Sequence, residues 1–307
     1  MGAAVAAVAA LVVAGCADSG SAPPPPVPGQ ADTSAYDQII AGSPVADAAA
    51  IPAGSWADTV KQRGKLIRGG TDQGAIFSLK DPATGKVTGF DAGLAAMLSH
   101  YITGKTTDDA VELVLTSVDT RETLIQNKTV DAVVATYTIT EPRAQKVAFA
   151  GPYYSSGDAI MVKADNTTIT KVDDLNGKNV ATESNSTAAL ALKQYAPQAN
   201  VLLFQEDAQC VAAVQQGRAD AYVLDQGILV SDASTNPQVK VVGQPFTQEP
   251  YGVGLPLTDP SAKQFVNDWL NKIYADGSWA KLWQATIGTV VKDQPPSPPK
   301  IGSVPGS

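Results

Sequence analysis

From residue 65 onward, apolar positions recur in two alternating rhythms, period two and helical period, separated by Gly, Pro, Asn and Asp clusters. Lys65-Leu66-Ile67-Arg68-Gly69-Gly70 reads as a strand leading into a polar loop, and residues 80–89 carry turn chemistry throughout. Leu94, Met97, Leu98 and Tyr101 lie at helical spacing and predict a helix over residues 90–101. Residues 111–115 form a β-branched strand, and residues 121–128 a short helix with Leu124 and Ile125 inward. Residues 130–137 are almost continuously apolar, the pattern of a strand buried on both faces. After Pro152-Tyr153-Tyr154 the rhythm restarts, with strands predicted at 159–162, 179–182, 201–204, 221–224, 239–242 and 251–255. Helices are predicted at 187–195, 208–216, 261–276 and 279–283. Strands alternating with helices imply an α/β fold with mostly parallel sheets and right-handed crossovers. Ligands in such sheets bind beyond the carboxyl ends of the strands, where Asp72, Ser117, Thr136, Thr138, Ser184, Ser186 and Asp225 fall.

The two ends of the chain follow neither rhythm. Residues 3–13 are nearly all Ala, Val and Leu and are followed by Val13-Ala14-Gly15-Cys16, too short a run to span a bilayer as a helix. The run fits the apolar core of a signal peptide over residues 1–15, although no Lys or Arg precedes it. Small residues before Cys16 resemble a lipobox, which implies lipidation of Cys16 and a membrane anchor. Residues 18–35 are rich in Pro, Ser and Gly, and residues 16–53 are read as a flexible tether. A second such stretch makes residues 291–307 a predicted disordered tail.

Composition narrows the chemistry. A net charge of −8 and no basic stripe argue against nucleic acid as a partner. One histidine and one remaining cysteine leave neither a zinc site nor a Ser-His-Asp device, and no phosphate loop or dinucleotide fingerprint is present. No cofactor, no metal and no catalytic residue are expected. Cys210 reads as a buried small apolar residue, and His100 as a surface or helix-end residue.

The segment from 135 to 157, ATYTITEPRAQKVAFAGPYYSSG, is the most informative stretch. It places hydroxyls at a strand end (Thr136, Thr138, Thr140) with Arg143 close behind, a combination suited to a small carboxylate. Arg143 at a helix start also sits where the helix dipole disfavours positive charge. Asp225 after a strand is either a helix cap or a ligand group. Ser184, Ser186 and Thr187 open a helix whose free amides can cap themselves or attract an anion.

Taken in order, these segments resemble one family. Gly89-Phe90-Asp91, Leu115-Thr116-Ser117 with Arg121, the stretch from Thr138 to Arg143, Gly217-Arg218-Ala219-Asp220 and the stretch from Gln248 to Gly252 are similar to the extracytoplasmic solute-binding proteins of polar amino-acid ABC transporters. Among these, the glutamine- and glutamate/aspartate-binding lipoproteins of actinobacteria are the nearest in pattern. The resemblance implies a two-lobed, type II periplasmic-binding-protein-like clamp with two interlobe crossings, lobe one at 54–154 and 250–290 and lobe two at 155–249. It implies a monomeric, non-enzymatic receptor on the extracytoplasmic face of the membrane, whose partners are an amino acid and an ABC permease. The same fold also serves sensor subunits that present their ligand to a signalling protein, and dehydratase-like enzymes.

By the same resemblance, Arg143 and Thr138 would hold the ligand α-carboxylate, and Thr136 would offer a carbonyl to its amine. Asp225 would pair its ammonium, and Ser184, Ser186 and Thr187 would form the loop of lobe two. Ser117, Arg121 and Asp72 would face its distal end. Two of the basic groups of acidic-ligand binders are missing, at Thr71 or Asp72 and at Asp207, while Arg121 is kept. The expected ligands are therefore glutamate and aspartate together with glutamine and asparagine.

Overall fold

The computed structural model describes residues 33–307, so the signal-peptide segment and Cys16 lie outside the described residues. Helices α1 (Thr33–Ala41) and α2 (Trp56–Arg63) precede strand β1 (Leu66–Gly70). Ser55 caps α2 by accepting the Asp58 N–H, and Gly64 ends it in the left-handed region at φ 73°. A small meander follows, β2 (Gln73–Gly74), β3 (Ser78–Lys80) and β4 (Val87–Thr88), then α3 (Phe90–Thr103), β5 (Val111–Leu115), α4 (Arg121–Gln126), β6 (Ala132–Val133), α5 (Glu141–Ala144) and β7 (Ala148–Ser156). Next come β8 (Asp158–Lys163), β9 (Asn179–Glu183), α6 (Thr187–Tyr195), β10 (Asn200–Phe204), α7 (Asp207–Gln215), β11 (Ala221–Asp225), α8 (Gln226–Thr235) and β12 (Val239–Val242). The chain then returns through β13 (Glu249–Leu255), α9 (Pro260–Ala275), α10 (Ser278–Ala285) and α11 (Gly288–Val291).

Two five-stranded sheets organise two lobes, in the orders β5-β1-β6-β13-β7 and β10-β9-β11-β8-β12. The two-lobed α/β clamp expected from the sequence is the fold the chain adopts. Its cores are separate. Phe90, Leu94, Met97, Leu98, Trp269 and Trp279 belong to one, and Ile160, Met161, Val180, Leu192 and Tyr222 to the other. Burying each such side chain contributes about 1.5–3 kcal/mol. The chain passes between lobes at the β7–β8 and β12–β13 connections. A Cβ on Gly157 would lie 2.4 Å from the Thr247 carbonyl oxygen, so only glycine lets the two crossings press together.

Several expectations change. The sheets are mixed: β13 runs antiparallel to β6 and β7, and β8 antiparallel to β11 and β12. The apolar run at 130–137 pairs as a strand only over Ala132–Val133, because Thr136 turns into the left-handed region at φ 45° and its N–H leaves the sheet. The tether is ordered in part, since α1 buries Tyr36 and Ile40 in the first core. The C-terminal tail is laid along lobe one rather than disordered, with Ile301 and Val304 packed on apolar clusters and Gly302 N–H donating to the Gly151 carbonyl at 2.9 Å. His100 is buried, its Nδ1 lying 3.2 Å from the Lys105 carbonyl oxygen.

Candidate functional site

The lobes meet over a cavity of about 420 Å³. Lobe one lines it with Asp72, Phe77, Ser117, Arg121 and Thr136, and lobe two with Glu183, Glu206, Asp207, Leu224, Ile228 and Ser231. Contacts close the rim from one lobe to the other. Ile76 N–H donates to Ser231 Oγ at 3.3 Å, Arg143 Nη2 donates to the Asn185 carbonyl at 3.3 Å, and Asn185 Nδ2 donates to Asp119.

The wall from lobe one is braced from behind. Asp91, in the first turn of α3 and fully buried, accepts the Thr136 N–H at 2.7 Å and the Tyr153 hydroxyl at 2.9 Å. Burial pushes its carboxyl up to about 6, with the Arg68 guanidinium and the Thr136 N–H pulling the other way. Arg68 in turn donates from Nε and Nη2 to the Val134 carbonyl, at 3.0 and 2.7 Å. The strand end at 134–136 is thereby fixed in its unusual turn by two buried groups of opposite charge. Neither was anticipated as a site residue, because an Asp early in a helix reads as an ordinary cap.

Two guanidinium groups stand in front of that brace. Arg121 opens α4 but is buried rather than solvated. It lies 3.9 Å over the Tyr137 ring, and its Nη1 donates to the Ala135 carbonyl at 3.3 Å. Its Nε has no partner among the described residues. Burial, and then the neighbouring Arg143, lower its pKa to about 10. Arg143 sits in α5 behind the Thr140 cap and donates from Nη1 to the Thr138 carbonyl at 2.9 Å. Burial lowers its pKa as well, while Tyr137 raises it. Tyr137 lies between both cations, 5.3 Å from Arg143.

The opposite wall carries acids. Glu183 ends β9, and Glu206 and Asp207 start α7. The Tyr222 hydroxyl donates to Asp207 Oδ1 at 2.8 Å. Burial is the largest cause of the rise of Glu183 to about 8, followed by the charge of Asp207. Asp225 precedes α8 yet makes no capping hydrogen bond. It instead accepts the Tyr251 hydroxyl at 2.8 Å, and burial and then Glu249 push its carboxyl up.

Of the residues singled out from sequence, Asp72, Ser117, Arg121 and Thr136 lie together on the cavity wall. Thr138, Arg143 and Asp225 stand behind it, buried at the lobe junction. Ser186 caps α6, accepting the Ala189 N–H at 3.1 Å, and its hydroxyl donates to the Glu183 carbonyl at 2.7 Å. Thr187 begins that helix, and Ser184 N–H donates to the Phe204 carbonyl at 2.8 Å, so none of this loop lines the cavity. Phe77 is an addition. It packs edge-on against Tyr154 and Tyr251 at 5.7 and 6.0 Å and forms an apolar patch of the cavity.

Comparison with known proteins accords with this geometry. The chain is 37% identical over 198 residues to the glutamine-binding protein of Geobacillus stearothermophilus, covering 64% of this chain and 74% of that one. It is 31% identical over 229 residues to the ABC transporter glutamine-binding protein GlnH of Bacillus subtilis, covering 74% and 83%. It is 33% identical over 210 residues to the glutamate-binding protein GluB of Corynebacterium glutamicum, covering 64% and 71%. Among solved structures, the ancestral amino acid-binding protein AncCDT-1, a precursor of cyclohexadienyl dehydratase, matches with a TM-score of 0.69 at 34% identity, covering 76% of this chain and all (100%) of that one. An ancestral arginine-binding protein bound to glutamine matches with a TM-score of 0.67 at 31% identity, covering 74% and 99%. The family model for bacterial extracellular solute-binding proteins, family 3, matches residues 67–289, and the chain belongs to that family.

Proposed function

We propose that this chain is an extracytoplasmic receptor that captures a polar α-amino acid, glutamine in the first place, and delivers it to an ABC importer. One observation carries the reading: Arg121 on the lobe-one wall faces Glu183, Glu206 and Asp207 on the lobe-two wall across the cavity, with Arg143 and Asp225 buried behind those walls. An α-amino acid is a zwitterion and needs both. In this reading Arg143 and Thr138 take the α-carboxylate, for which the fork of a guanidinium is shaped, and the carboxylate replaces the Asn185 carbonyl as the second partner of Arg143. Asp225 takes the α-ammonium, helped by the carbonyl of Thr136. The loop of Ser184, Ser186 and Thr187 positions Asn185 and closes over the ligand.

The distal end decides the ligand. Arg121 offers donors and Glu183 offers an acceptor, on opposite walls. A carboxamide satisfies both, through its carbonyl and its NH₂ group. A carboxylate has only acceptors, and an ionised Glu183 meets it as a like charge. Ser117 and Asp72 complete that end of the cavity, and Phe77 covers the methylenes. A second reading, glutamate as ligand, is favoured by the buried, incompletely paired guanidinium of Arg121. The lobe limits at residues 154, 249 and 290 and an anchor at Cys16 behind a tether belong to the same proposal. Calorimetric titration with glutamine, glutamate, asparagine and aspartate tests it. Binding with glutamine strongest supports the reading, and binding by none of the four overturns it.

A further inference from the structure

On the reading that the cleft holds an amino acid, we propose that Glu183 sets the ligand preference through its own ionisation. Neutral, it shares its proton with a distal carboxylate and admits glutamate. Ionised, it repels that carboxylate and leaves the carboxamide as the distal group that fits.

The placement of Glu183 carries this. It stands at the carboxyl end of β9 on the cavity wall, and no described residue donates a hydrogen bond or ion pair to its carboxylate. The groups facing it are almost all acidic. Asp207 and Glu206 come from the start of α7, Asp225 from β11, and Arg121 on α4 is the positive charge across the cavity. Behind Asp207, the Tyr222 hydroxyl of β11 and the carboxyl of Asp232 on α8 both donate toward it. Burial raises the Asp207 carboxyl and those two donors pull it back down, while burial and the charge of Asp207 push Asp232 up. Cys210 on α7 is buried in the same wall and held as a neutral thiol by burial. Glu183 is thus a titratable group on the cavity wall between the acids of α7 and the Arg121 cation, raised to about 8, within the range where its protonation changes under ordinary conditions.

A ratio of affinities isolates this effect. Glutamine and glutamate share the same α-carboxylate and α-ammonium, so the titrations of Asp225, the hinge carboxyls and the ligand amine cancel between them. The γ-carboxyl of free glutamate, near a pKa of about 4.3, is ionised throughout the range of interest. Dissociation constants for both ligands measured by calorimetry from about pH 6 to 9 should give a glutamate-to-glutamine ratio that is flat at the acid end. Above the titration of Glu183 the ratio rises about tenfold per pH unit, the limit for one linked proton. Glu183→Gln, nearly isosteric, should abolish the rise and leave glutamate bound at pH 9 as tightly as at pH 6, relative to glutamine. Asp207→Asn removes a negative charge that raises Glu183 and should move the onset of the rise to lower pH; an onset at higher pH overturns the inference. A flat wild-type ratio with glutamine bound overturns the inference alone, as does a rise that survives in Glu183→Gln. Failure of the wild type to bind either amino acid at any pH overturns it together with the functional reading.

Discussion

The two walls of the cleft are built on opposite principles. In lobe one the wall is braced within the lobe: Asp91 to Thr136 and Tyr153, Arg68 to Val134, Arg121 to Ala135 and Tyr137, Arg143 to Thr138. In lobe two the carboxyls of Glu183, Asp207 and Asp225 face no basic side chain of their own lobe among the described residues; Glu183 is answered across the cleft by Arg121 and Asp225 by Arg143, while Asp207 leans on Tyr222 and Asp232. A braced half that carries Arg121 and Arg143 and an acidic half without basic side chains facing its carboxyls have an electrostatic reason to close on each other. Buried charge is costly unless paired, so a zwitterion that pairs with both halves stabilises the closed arrangement more than it would either lobe alone.

Breaking the brace of lobe one should have the largest effect. Asp91→Ala leaves Arg68 and the Thr136 N–H buried without their partner, and a loss of about 3–5 kcal/mol in folding stability is expected by thermal or denaturant unfolding. A change under about 1 kcal/mol would mean that the brace is decorative. Removing the cation in front of it acts on ligand and not on fold. Arg143→Ala should weaken amino-acid binding by about 2–5 kcal/mol, with the melting temperature nearly kept.

The acidic lobe is tested by pH. Asp158 of β8 faces Asp225 of β11 in the sheet and is fully buried beside Thr247 and Glu249, with no basic side chain among the described residues shown to pair it. Burial, and then Asp225 and Glu249, push its carboxyl up. A carboxyl raised in the folded state keeps a proton that the unfolded chain has already released above about pH 4. Its stabilising contribution is therefore complete below that value and is lost as pH rises toward the folded one. Stability should fall with rising pH between 5 and 8, each such group contributing at most about 1.4 kcal/mol per pH unit. Asp158→Asn should flatten that slope, and a wild-type stability that climbs over this interval would contradict the description of the acidic half. The smallest effect is steric. A Cβ on Gly227 of α8 would lie 2.9 Å from Phe77 Cζ across the cleft, so Gly227→Ala should weaken binding by about 1 kcal/mol without lowering the melting temperature.

The same contrast explains what could be read from sequence. Elements with strong local rhythm have the boundaries the sequence predicts or nearly so, such as β5, α6 and α9, because their apolar positions repeat at the period of the element, even though Leu115 of β5 and Leu190 of α6 stay exposed. The strand at 130–137 did not, since nothing local reveals that Asp91, some 45 residues away, claims the N–H of Thr136. Arg143 stands out in the sequence because positive charge at a helix start is disfavoured, and Asp225 because it follows a strand end; the structure buries both at the lobe junction and leaves Asp225 without a capping bond. Arg121 was legible as a candidate, yet its burial rests on stacking with Tyr137, a contact without a sequence signature. Glu206 and Asp207 stand at a helix start, a common place for acids, and belong to a wall only because the lobes meet there. Ser186 shows the reverse, a candidate whose hydroxyl serves the helix cap.

The central claim, that the cleft grips both ends of a zwitterion, is tested most directly by comparing L-glutamine with glutaramic acid, the same molecule without its α-amino group. In calorimetric titrations of the wild-type protein, glutamine should bind and glutaramic acid should bind at least about 30-fold more weakly, because Asp225 is left buried without its counter-charge. Equal affinity for the two, or no heat from glutamine, would contradict the account.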